Sequence, residues 1–183
     1  MKISLPHAPY IASKISIDLL NSGYATFSKG VDSIKKCAQE LIEEDLGKEK
    51  ALEQRVEDIL EENEDEMEFM QIDRRSMFWM IKKKIAKEYD VILSYEDRFS
   101  NLAHIILDKL WEKDLMDYTV TENIMKNVIY GSIEGYMQSF EDIEQTVIDK
   151  ISNMKKRLIP GTDEYNARFE RLYREELQKK GMF

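Results

Sequence analysis

The sequence has little of what builds the common catalytic and metal centres. Its one cysteine, Cys37, excludes an internal disulfide and any cysteine-rich zinc site. Its 2 histidines, His7 and His104, fall in segments of different kind. No E-x-x-H occurs, which removes the di-iron carboxylate bundle, and neither G-x-x-x-x-G-K-S/T nor G-x-G-x-x-G is present. No metal and no cofactor is therefore read from the chain. Breakers are scarce too, with 7 glycines and 3 prolines, and scarcity over this length favours long helices with short connections. Nowhere do about 18 apolar residues run together, so no membrane-spanning helix is expected. Pro6, His7, Pro9, Lys14 and Asp18 interrupt the N-terminal stretch, which reads as neither signal peptide nor anchor. Positive charge is in deficit. The net charge of −9 opposes a general attraction to nucleic acid or to an anionic membrane. A bacterial-type cytoplasm is the expected location.

What is present is a helical period. The 183 residues are 43% hydrophobic and 34% charged, a globular balance. Apolar residues recur at three- and four-residue spacing nearly throughout. Ile11, Ile15 and Leu19 mark a first helix, ending near Gly23. Val31 through Leu46 mark a second, and Leu52, Val56, Ile59 and Leu60 a third. Asp73 is placed to cap a fourth, with Met77, Phe78, Ile81 and Ile85. Ser94 and Asp97 resemble a capping box before a fifth, with Leu102, Ile106 and Leu110. Met125, Ile129, Ile133 and Tyr136 mark a sixth. Ser139 with Asp142 reads as a capped start for a seventh, with Ile143, Val147 and Ile151. Pro160-Gly161-Thr162 restarts the chain for an eighth, with Tyr165, Phe169, Leu172 and Leu177.

A shift of 91 residues superimposes the apolar faces of the two halves. Ile11, Ile15 and Leu19 fall on Leu102, Ile106 and Leu110; Leu52, Val56 and Leu60 fall on Ile143, Val147 and Ile151; Phe78 and Ile81 fall on Phe169 and Leu172. One shift serving four successive helices without a gap points to an internal duplication. The expected fold is all-α: about eight helices as two related four-helix units, 1–91 and 92–183, packed as one body, with a pseudo-two-fold between them by analogy with symmetric dimers.

Leu102-Ala103-His104 followed by Ile106-Leu107-Asp108-Lys109-Leu110-Trp111, Lys150-Ile151-Ser152, and Pro160-Gly161-Thr162 before Glu164-Tyr165 resemble the uncharacterised bacterial family "domain of unknown function 507". The resemblance is clear over 93–181 and weak over 1–92. It implies a helical bacterial protein, here in tandem, and transfers no catalytic residue.

Arg74-Arg75-Ser76-Met77-Phe78-Trp79-Met80-Ile81-Lys82-Lys83-Lys84 is the stretch with most to offer. Met77, Phe78, Ile81 and Ile85 share one helical face, and Trp79 points the other way, among Arg75, Lys82 and Lys83. An off-face tryptophan ringed by cations resembles a recognition surface; a further helix packed over it is the bland alternative. Glu61 to Glu68 reads as a solvated acidic helix end, since the calcium loop needs a central glycine that is missing. Under the shift, Glu64-Asp65-Glu66 fall on Lys155-Lys156-Arg157, an exchange of sign that would suit two segments facing each other. Met67, Met70, Met77 and Met80 read as gap-fillers, Cys37 as a small buried side chain, and His7 and His104 as exposed polar residues, His104 within reach of Asp108.

The expected function is a non-enzymatic interaction or regulatory protein with an unknown protein partner, working through Arg75, Trp79, Lys82 and Lys83. An enzyme with a site between the two halves is the second class. Nucleic-acid binding is the third and needs the 74–83 and 155–157 cations on one face.

Overall fold

The computed structural model describes residues 5–154 and 157–180. A 3₁₀ turn, Leu5–His7, leads into α1 (Ala8–Asn21), with a proline in the first helical turn, where its missing N–H costs nothing. Strand β1 (Ala25–Phe27) follows, then α2 (Val31–Glu62), α3 (Glu64–Phe69) and α4 (Arg74–Ile85). After a 3₁₀ turn at Ala86–Tyr89 come α5 (Tyr95–Glu112), β2 (Met116–Tyr118), α6 (Glu122–Ser152) and α7 (Asp163–Lys179).

The all-α expectation holds apart from one short antiparallel strand pair, and the helices are fewer and longer than the eight read from the sequence. The second and third are the single 32-residue α2, and the sixth and seventh are the single 31-residue α6. Gly47 weakens α2 without ending it, because Ile42, Leu46, Leu52 and Val56 keep one buried face on both sides. Ser139 caps nothing. It lies inside α6 and its hydroxyl donates to the Gly135 carbonyl at 2.9 Å, the back-bond a mid-helix serine makes. The other three starts are as expected. Asp73, Ser94 and Thr162 each accept a backbone N–H from the residue three positions on.

Two positions after α1 and α5 the chain turns through a left-handed residue, Gly23 (φ 72°) and Asp114 (φ 51°), residue types that tolerate that region. These turns deliver β1 and β2 to each other. Ala25 faces Tyr118, Thr26 faces Asp117 and Phe27 faces Met116. Ser28 N–H donates to Leu115 O at 3.1 Å and Thr119 N–H to Tyr24 O at 3.0 Å. The shift of 91 residues exchanges these contacts in pairs and carries Thr26–Asp117 onto itself.

The large core draws on both halves: α1, the first part of α2, α5, α6 and, from α7, Leu177, with Ile15, Leu19, Ile34, Ile106, Leu110 and Ile129 fully covered. A second, smaller core forms farther along α2, where Leu52, Val56 and Leu60 meet Met67, Ala86 and Val91, closed over by Met77, Phe78, Ile81 and Ile85 of α4. Among the described residues no helix is long and apolar enough to cross a membrane.

Candidate functional site

The apolar side of α4 covers the small core, and this fixes what the opposite side shows. Trp79 is 49% exposed and Met80 58%, while Arg75 and Lys83, one turn to either side of Trp79, are exposed as well. Among the described residues no helix covers the indole, which stays half in solvent. Its ring forms a T-shaped pair with Phe78, centroids 5.9 Å apart at 85°. The Lys82 ammonium stands 5.3 Å from its centroid, the separation of a cation–π contact.

Lys82 does not belong to the surface on which the sequence reading placed it. It is 4% exposed, with its Nζ 2.7 Å from Glu53 Oε1 and 3.3 Å from Glu49 Oε1. Glu49, also 4% exposed, gives its other oxygen to Arg98 at 2.7 Å. Arg98, buried at the start of α5, holds Asp45 with Nε at 2.8 Å and Nη2 at 2.7 Å. The exposed indole thus sits at one end of a continuous chain, Trp79–Lys82–Glu49–Arg98–Asp45, whose other end lies where α5 packs on α2. Burial disfavours the charge on Lys82, but Glu53 and Glu49 outweigh it and hold the ammonium above the ordinary lysine range. Burial likewise works against the Arg98 charge, and Asp45 and Glu49 overcome it. Three carboxylates face two cations, and each of the five groups makes at least one charge-assisted bond of 2.7 Å.

None of Asp45, Glu49 or Arg98 was picked out from the sequence. The signal was there: Glu49 stands on the apolar stripe of α2 between Leu46 and Leu52, and Arg98 adjoins Phe99 on the buried face of α5. A charge on an apolar stripe needs a buried partner, and which partner is a matter of tertiary structure.

This arrangement bears on the other two expected classes. A buried carboxylate does lie near the junction of the halves, but Glu49 has both oxygens occupied. The adjoining crevice of Asp45, Tyr95, Arg98 and Phe99 has a volume of about 10 Å³, too small for a substrate. For nucleic acid, Arg74 is engaged by Glu57 at 2.7 Å and Glu64 at 3.8 Å, Lys82 is buried, and Lys155 and Lys156 lie outside the described residues. The expected meeting of the acidic 61–68 segment with 155–157 rests partly on those two residues. Of its described members, Glu64 pairs with Arg74 in its own half, and Arg157 lines a cleft with Ile148, Met154 and Tyr165.

The remaining candidates divide. Cys37 is buried, and burial pushes its thiol up. Met67 and Met77 serve the small core, whereas Met70 and Met80 are exposed at 63% and 58% and fill no gap. His104 is exposed, as expected. His7 is not: it is half-buried, with its ring 4.4 Å from Phe140.

A family profile described as "Protein of unknown function (DUF507)" matches residues 1–182. The likeness is therefore not confined to 93–181 but takes in both halves. No curated protein matches the chain. The chain belongs to the DUF507 family.

Proposed function

We propose that this DUF507 protein is a non-enzymatic adaptor that docks a protein partner on the outer face of α4. The observation that carries this reading is Trp79, a half-exposed indole between Arg75 and Lys83 with Met80 beside it. Exposed tryptophan next to cations is the composition of interface hot spots, and the face suits a partner helix or strand that offers apolar and acidic side chains. The cation beneath the ring, fixed by Glu49 and Glu53, orients the indole before any partner arrives, which lowers the cost of ordering it on binding.

The tandem origin belongs to the same reading. Under the shift of 91 residues, β1 becomes β2, Val31–Glu62 becomes 122–153 beside α6, and the left-handed Gly23 becomes the left-handed Asp114. The reciprocal strand register supports two related units, 1–91 and 92–183, about a pseudo-two-fold through Thr26 and Asp117. They differ from the expected four-helix units: each consists of three principal helices and a strand, with α3 added to the first.

The test is co-purification of the tagged, full-length native protein beside its Trp79→Ala and Lys83→Glu variants, with thermal melting as a check on folding. A partner retained by the native chain and lost from both variants supports the reading. Trp79→Ala is expected to cost about 2 kcal/mol of binding, roughly 30-fold in affinity. A partner held equally by all three sinks it.

A further inference from the structure

We propose that His104, Asp108 and Glu122 form a binding site for a zinc-class divalent ion. His104 and Asp108 stand one turn apart on the exposed side of α5, and Glu122 is the first residue of α6. Between them the chain returns through β2, which brings the Glu122 carboxylate back against the ring that α5 presents. The imidazole lies between two carboxylates, Nε2 3.5 Å from Asp108 Oδ2 and Nδ1 3.3 Å from Glu122 Oε1. One ring nitrogen and one oxygen of each carboxylate fall within 4.8 Å of one another. Nitrogen and oxygen ligands of a tetrahedral zinc lie about 2.0–2.2 Å from the metal, and so about 3.3–3.6 Å apart. All three side chains are half-exposed, so rotamer adjustment alone can bring the donors to that spacing.

A cation among the three groups takes the lone pair of one ring nitrogen and neutralises the two carboxylates. Among the described residues, neither carboxylate has an ion-pair partner other than His104. One imidazole with two carboxylates suits zinc and its borderline neighbours, whereas calcium takes six or more oxygens. Three protein ligands leave a position open to water. The site is a property of the second half alone, because the corresponding positions 91 residues earlier are Ser13, Ile17 and Val31. Bound metal would tie α5 to the start of α6 across the β2 connection.

The test uses tag-free protein, since a histidine tag would bind zinc itself. Zinc is titrated calorimetrically, and cobalt(II) is followed by its visible absorption and displaced with zinc. The expected result is one ion per chain, a cobalt spectrum that zinc abolishes, and a zinc-dependent rise in melting temperature. H104A, D108N and E122Q should each weaken zinc binding by about tenfold or more, and their metal-free melting should match the native protein because all three positions are exposed. A H7F variant should bind as the native chain does. No heat and no cobalt spectrum would overturn the proposal. So would binding that survives H104A, or binding that depends on His104 but is indifferent to both carboxylate variants.

Discussion

Where α2 passes from the large core to the small one, the protein buries Glu49, Lys82 and Arg98 beside a half-buried Asp45; at the four positions that the shift of 91 residues pairs with Asp45, Glu49, Lys82 and Arg98 stand Tyr136, Phe140, Tyr173 and His7. Both sets assemble. The first is a relay of ion pairs. The second is a cluster of rings, with Tyr136 and Phe140 4.9 Å apart, His7 4.4 Å from Phe140, and Tyr173 6.3 Å from Phe140. The exchange is reversed farther out. Glu176 of α7 is held by Lys150 at 2.5 Å and by Lys179 at 2.6 Å, which keep its carboxyl down at about 2, while the matching Ile85 and Ile59 of the first half are apolar. On the proposed duplication, one backbone plan accepts charge at one junction and rings at the other. The ionic version adds something the aromatic one lacks: it ends under an exposed tryptophan.

The comparison breaks hardest at Arg98. Arg98→Ala leaves the buried Glu49 with one cation and the partly exposed Asp45 with none. Removing one partner of a buried pair costs about 3–5 kcal/mol, which denaturant unfolding would register directly. If the aromatic cluster is a true counterpart, the charges are not needed for stability. A triple variant, Glu49→Leu with Lys82→Met and Arg98→Met, should recover most of that loss, because well-packed apolar residues commonly replace a buried ion cluster at no cost. Asp45 and Glu53 keep about a quarter of their side-chain surface in solvent and can rehydrate. A triple variant no better than the single one would mean that the network holds the two cores together and that the likeness of the junctions is formal.

The two junctions also explain how much could be read in advance. Helix faces, the capped starts at Asp73 and Ser94, the restart at Pro160-Gly161-Thr162 and the 91-residue correspondence of apolar positions follow from residue spacing, because burial of an amphipathic stripe is a local pattern repeated. The continuity of α2 and α6 was not legible: Ser139-x-x-Asp142 satisfies the local rule for a cap, and only the packing of Phe140 and Ile143 on the core carries the helix through it. Trp79 was legible as an off-face aromatic. Lys82 was misplaced because wheel position separates faces but does not say how far a long side chain reaches under its neighbours. Glu49 and Arg98 come from segments 49 residues apart, and no local pattern links them.

A smaller effect is expected within the aromatic junction. Among the described residues the buried Tyr136 hydroxyl has no hydrogen-bond partner, and burial pushes its phenol far above the ordinary range. A buried hydroxyl left unpaired costs about 1–3 kcal/mol. Tyr136→Phe should therefore stabilise the protein by about 1 kcal/mol, visible as a higher denaturation midpoint at unchanged slope. No gain would show that the hydroxyl is hydrated and the junction less dry than its rings imply.

His7 supplies the finest test, because it faces Phe140 where Arg98 faces Glu49. Burial holds its imidazole below the usual histidine range. Below the unfolded value of about 6.5 the unfolded chain therefore binds more protons than the folded one, and stability rises with pH there. Its contribution is intact above about pH 6.5 and is lost progressively as pH falls from there through the lower folded value. The Arg98 guanidinium, raised by its carboxylates, stays charged across the same window and contributes no slope. His7→Phe should thus flatten the stability profile just below about pH 6.5 while keeping a ring against Phe140, and a charge-retaining change at Arg98 should lower the profile without changing its shape there. Should His7→Phe leave the slope in place, the ring contacts of His7 do not exclude the proton. The second junction would then owe its stability to Tyr136, Phe140 and Tyr173 alone, three positions against the four of its ionic counterpart.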